Sequence, residues 1–187
     1  MFCAITAIFE SILCMATNQW FVIQAMSVTL TLTMTCITAF RWSYYAAFPA
    51  IVGSLAYCIV SKADIKQAVA YCGGSLFCLI ASPLLEKLGK DKVRADFIKR
   101  SVFVTVVYLA TAMGRWLISL LFEQGSLALL ITVDILSLLF AIIVLTLAKR
   151  LDGVLEDQKS YILRLDKERR ETEKSNQSDP FNDPYQN

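Results

Sequence analysis

The sequence predicts an all-α, polytopic membrane protein, with a six-helix transmembrane bundle followed by a cytoplasmic amphipathic C-terminal helix. Three observations carry this. The 187 residues are 56% apolar and only 18% charged, against roughly 45–50% and about 25% in water-soluble domains. Mean hydropathy is +0.54. The charge is also segregated, because 17 of the 34 charged residues fall in 149–187. A long apolar part ending in a short polar extension divides into a membrane domain (1–148), an amphipathic helix (149–171) and a disordered tail (172–187).

A membrane-crossing helix needs about 20 mostly apolar residues. Six stretches fit: Phe2–Ala16, Trp20–Phe40, Ser43–Ser61, Lys66–Leu85, Ser101–Phe122 and Leu127–Ala148. The first is short, and Thr17-Asn18-Gln19 after it reads as a polar turn. Pro49 and Pro83 fall within or near the ends of spans three and four, where neighbours can satisfy a freed carbonyl. Lysine and arginine bias sets the orientation. With the N-terminus inside, 15 basic residues fall on the inner side, two (Lys62 and Lys66) on the outer, and Arg115 lies within a span. Both termini are therefore expected in the cytoplasm. Trp20 and Tyr71 then fall near the outer edge, and Trp42, Tyr44 and Tyr45 near the inner one, as an aromatic belt requires.

The polar extension has two parts. Leu151, Val154, Tyr161 and Leu165 share a heptad seam interrupted by Gln158, which fits an amphipathic helix touching headgroups or a partner-binding helix. From Thr172 the composition is that of disorder. The 86–100 loop alternates basic and acidic residues, and reads either as a solvated connection or as a docking surface.

Several chemistries are excluded by composition. The chain has no histidine, which removes histidine metal sites and His-dependent triads. Its six cysteines form no CxxC pair and read as small apolar packers. Net charge is only +2, so nothing points to nucleic acid. No catalytic residue, metal or cofactor is expected.

Three ionisable residues interrupt the spans: Glu10, Arg115 and Asp134. A charge at mid-membrane costs at least about 2.5–3.5 kcal/mol on insertion scales, so each needs a partner, a hydrated cavity or neutralisation. Arg115 and Asp134 stand equally far from the turn at Gln124-Gly125, on opposite arms of a helical hairpin. At 1.5 Å per residue this sets both roughly 10 Å below its outer end, and Glu10 reaches a similar level from span one. The three suggest a small-molecule site, with Gln24, Thr29, Tyr71 and Trp116 at compatible heights adding amide, hydroxyl and aromatic contacts. The alternative is an Arg115–Asp134 pair that only fixes packing. Hydroxyls at Ser27, Thr29, Thr31, Thr33, Thr35 and Thr38 suit either close packing or cavity lining. Cys3, Ala7 and Ser11 repeat every fourth residue, and Gly73-Gly74-Ser75 thins span four; both patterns permit close helix approach.

Six spans, internal termini, an outer-half polar site and small residues at Cys3, Ala7 and Ser11 resemble the substrate-binding S component of energy-coupling-factor vitamin transporters. The resemblance covers 1–148 at the level of architecture. It implies a bacterial plasma membrane, a vitamin-like small-molecule ligand, packing of Cys3, Ala7 and Ser11 on a transmembrane coupling subunit, and separate ATPase subunits. The chain has no Walker A glycine loop of its own. The loop between spans one and two is shorter than that family's lid, and the charged tail is additional. A second resemblance is to the MreD type of rod-shape scaffold, also non-catalytic, which implies that the tail is the working part.

Overall fold

The computed structural model describes residues 2–20, 28–122, 131, 133–151 and 154–177, with the side chains of 18–20 and 174–177 left aside. Every regular element among them is helical: α1 Phe2–Trp20, α2 Thr31–Trp42, α3 Ala47–Val60, α4 Ile65–Ser75, α5 Ala81–Leu88, α6 Lys90–Ala95, α7 Phe97–Leu120, α8 Ile135–Ala148 and α9 Gln158–Gln177. Short 3-10 segments, Ser43–Ala46 and Leu76–Ile80, join α2 to α3 and α4 to α5.

Among the described residues, three helical stretches are long and apolar enough to cross a membrane: Thr31–Val60, Ile65–Leu88 and Phe97–Leu120. Phe2–Thr17 and Ile135–Ala148 are apolar but shorter. The 31–60 stretch reverses on itself. A straight helix would hold Thr31 and Gly53 about 33 Å apart, yet a Cβ on Gly53 would fall 2.8 Å from Thr31 Cγ2. The reversal sits at Ser43, whose φ of 49° lies in the left-handed region that ends a helix. α2 and α3 therefore separate close to the expected break between Phe40 and Ser43.

Boundaries elsewhere move for identifiable reasons. Thr17-Asn18-Gln19 does not break α1, which continues to Trp20; the Thr17 hydroxyl donates back to the Leu13 and Cys14 carbonyls. The second helix begins at Thr31 rather than Trp20, and 21–27 lie outside the described residues. Asp64 and Asp96 cap α4 and α7, accepting from the amides of Ile65 and Ile98 at 2.8 and 3.1 Å. Pro49 and Pro83 each occupy the first turn of an α-helix, where the missing N–H has no intrahelical acceptor to lose. Of the expected 149–171 helix, the described residues 149–151 and 154–157 are not helical, and α9 follows from Gln158 to Gln177. The 178–187 part of the expected disordered tail lies outside the described residues.

Aliphatic packing concentrates toward the end holding the N-terminus. Phe40 meets Phe103 edge to face at 5.2 Å, amid Leu85, Val93, Leu145 and Leu155, all buried. The same end gathers Phe2 against Trp42, Lys90 against Asp157 at 2.8 Å and Lys149 against the Ala95 carbonyl at 2.6 Å. The motif RLDGVLEDQKSY (Arg150–Tyr161), which looks specific but carries no role by sequence alone, acquires a structural one: Leu155 plugs the bundle, and Asp157 and Gln158 tie it to α6 and Trp42.

α4 packs closely on α7. Gly74 lies so near Arg115 that a Cβ there would fall 2.5 Å from its Cα. Gly114 faces it, with a hypothetical Cβ 2.7 Å from the Gly74 carbonyl oxygen. The glycine pair of span four thus serves contact inside the bundle. Gly74→Ala forces the helices apart, and overpacking of this kind costs about 1–3 kcal/mol. Thermal unfolding in detergent should show a lower Tm for Gly74→Ala and a smaller change for Ala68→Gly on the same helix.

Candidate functional site

On α1 the inward stripe is Thr6, Glu10, Cys14 and Thr17, all buried, at the three-to-four-residue spacing of one helix face. Glu10 is 1% exposed, and its Oε2 accepts from the amides of Leu30 and Thr31 at 2.8 and 3.0 Å. The first N–H groups of a helix have no intrahelical partner. Here a carboxylate from another helix supplies it, where the helix dipole favours negative charge.

Arg115 and Asp134 are joined directly, Nη1 to Oδ2 at 2.5 Å, with side chains only 12% and 13% exposed. The guanidinium lies 4.5 Å from the centre of the Tyr71 ring, a cation–π distance. Tyr71 stacks in turn on Tyr57 at 5.4 Å and 19°. Asp134 does not sit inside a continuous helix. It occupies the position before α8, and its carbonyl accepts from Ser137 and Leu138. The Arg115 Nε is buried with no hydrogen-bond partner among the described residues.

Beside this pair lies a cavity of about 20 Å³, room for about one water. Thr31, Thr35, Ser75 and Thr111 line it together with Leu32, Ala50, Arg115 and Asp134. The Ser137 hydroxyl accepts from the Thr29 amide at 2.9 Å, and the Tyr108 hydroxyl donates to the Ile131 carbonyl. The threonine run of α2 thus does both things expected of it. Thr35 and Thr38 bond back to the Thr31 and Met34 carbonyls, and Thr29, Thr31 and Thr35 also line the cavity.

The structure therefore brings together Arg115, Asp134 and Tyr71, and puts Thr29 at the cavity edge. Glu10 is not a third member of the ion pair; it faces the start of α2, whose Thr31 borders the same cavity. Trp116 is half-buried and is not a lining residue. Gln24 lies outside the described residues. Cys3, Ala7 and Ser11 are half-buried along the side of the inward stripe, and the Ser11 hydroxyl is turned back to the Ala7 carbonyl. Ser137, Tyr108 and Tyr57 were not singled out from sequence. Ser137 follows Asp134 by three residues and Tyr108 precedes Arg115 by seven, both same-face spacings. Tyr57 had no comparable signal.

Removing one partner of a buried ion pair strands the other charge, at about 3–5 kcal/mol, whereas apolar replacement of both is often neutral. A double-mutant cycle read by thermal unfolding should show Asp134→Leu strongly destabilised and Arg115→Met with Asp134→Leu restored toward wild type. For Glu10, Ala leaves two buried amides unpaired, at about 1–3 kcal/mol each, whereas Gln keeps an acceptor oxygen. Amide exchange at Leu30 and Thr31 should accelerate strongly in Glu10→Ala and less in Glu10→Gln.

Comparison of the chain with protein-family models, curated proteins and solved structures returned no match.

Proposed function

We propose that this chain is the substrate-binding subunit of a micronutrient uptake system in a bacterial plasma membrane. On this reading six helical rods span the bilayer: α1, α2, α3, α4 with α5, α7 and α8. Both termini face the cytoplasm. The gathering of Arg41, the 87–100 basic cluster, Lys149 and the N-terminus at one end of the bundle supports that orientation.

The carrying observation is the Arg115–Asp134 pair, set on Tyr71 beside a small cavity with threonines and serines in its wall. Intramembrane ion pairs mark substrate pathways as a default reading. Arg115 offers a planar fork suited to a carboxylate or phosphate, and Asp134 and the hydroxyls supply acceptors and donors for the rest of a polar ligand. At about 20 Å³ the cavity is far below the roughly 300–1,000 Å³ of small-molecule sites. On this reading, ligand entry requires the ion pair and Tyr71 to separate. Coupling and ATPase subunits would drive reorientation, and this chain would perform no bond chemistry.

A second reading, a membrane scaffold working through its tail, is favoured by α9, whose residues 162–173 are exposed throughout. One experiment separates the two. Purified protein is screened by thermal unfolding against a panel of vitamins, with the charge-neutral Arg115→Met/Asp134→Leu variant as control. A single compound that raises Tm in wild type and not in the control supports binding. A flat panel, together with loss of cellular function on deleting 158–177 but not in the control variant, overturns it in favour of the scaffold.

A further inference from the structure

A second cavity, sharing no lining residue with the first, opens at the end of the bundle that holds the N-terminus. It is a groove of about 510 Å³ between α1, α2 and the start of α3, walled by Phe2, Trp42, Tyr45 and Phe48. Its polar wall groups are largely spent. The Trp42 Nε1 donates to the Gln158 side chain, and the Thr38 hydroxyl donates to the Met34 carbonyl. Tyr45 and Phe48 stack at 6.1 Å and are 64% and 59% exposed, so the groove opens sideways at the bundle surface.

One cation stands beside this aromatic wall. The Arg41 guanidinium carbon lies 5.1 Å from the Trp42 ring centre. Arg41 takes part in none of the ion pairs among the described residues, and its Nε is buried without a hydrogen-bond partner there. Lys90, by contrast, has Asp157. An apolar slot open to the side, with a guanidinium outside every ion pair among the described residues packed on one of its wall rings, Trp42, is complementary to an amphiphile with a negative head. Basic pockets at the cytoplasmic side of membrane bundles take anionic headgroups in this way.

We propose that this groove is a binding site for one anionic phospholipid, its acyl chain lying along Phe2, Trp42, Tyr45 and Phe48 and its phosphate facing Arg41. The site requires membrane residence and is independent of any transported ligand. It differs from general surface attraction because one arginine, rather than the summed basic charge of the inner end, makes the selection.

Native mass spectrometry of the full-length protein in detergent, titrated with phosphatidylglycerol or phosphatidylcholine, tests this. Wild type should bind phosphatidylglycerol about fivefold more tightly than phosphatidylcholine. Arg41→Gln should lower the first affinity to the level of the second, and Phe48→Ser should weaken both. Arg94→Gln, which removes a charge at the same end but away from the groove, should behave as wild type. Equal affinities for the two lipids, or an equal loss in Arg94→Gln, overturns the assignment. So does displacement of the lipid by inorganic phosphate alone, or lipid-free dimers in place of lipid-bearing monomers.

Discussion

A helix that starts inside a bundle cannot pass its first amides to water. That constraint organises one half of this protein. Among the described residues, α2 begins at Thr31, and the two amides at its start are held by Glu10 of α1. One carboxylate thereby does two jobs: it neutralises the positive end of a helix dipole, and it is itself held by two donors in place of solvent. The amide just before them, that of Thr29, goes to Ser137 of α8. The start of α2 is thus tied to the first and last apolar helices, and its position depends on both.

The second ionic contact follows the same logic in a different form. Arg115 sits where α4 and α7 approach most closely, because Gly74 and Gly114 remove the side chains that would keep them apart. That approach presses the guanidinium between Tyr71 and Asp134. The charge is compensated by a carboxylate and a ring face, and threonines and serines stand beside Leu32 and Ala50 around the remaining space. The aliphatic core lies toward the opposite end, around Phe40, Phe103 and Leu145. Polar and apolar packing are therefore segregated along the bundle axis.

How much of this was legible in the sequence varies with the range of the interaction. The helical class follows from composition, and the levels of Arg115 and Asp134 follow from counting residues either side of a turn. Both are local arithmetic. The partner of Glu10 was not legible, because counting gives height and not bearing: Glu10 points at a helix start that the hydropathy pattern placed eleven residues earlier. Leu30 before it supplies no side-chain cap, so the start of α2 had no signal. Gly114 was equally silent, since its meaning depends on Gly74 forty residues away. The Arg150–Tyr161 motif looked specific without a role. Its role emerges only when Lys90 and Trp42 arrive from other parts of the chain.

That motif also has a mechanical side. Leu155, Asp157 and Gln158 pin the base of α9 to the bundle, while the helix beyond stands free. Twenty residues at 1.5 Å each make a pointer about 30 Å long. A tilt of about 10° between α2 and α6, the two helices that carry its anchors, would carry the tip through about 5 Å by the same geometry. Small rearrangements at the base are thereby magnified at the tip, with the Leu155 plug as fulcrum.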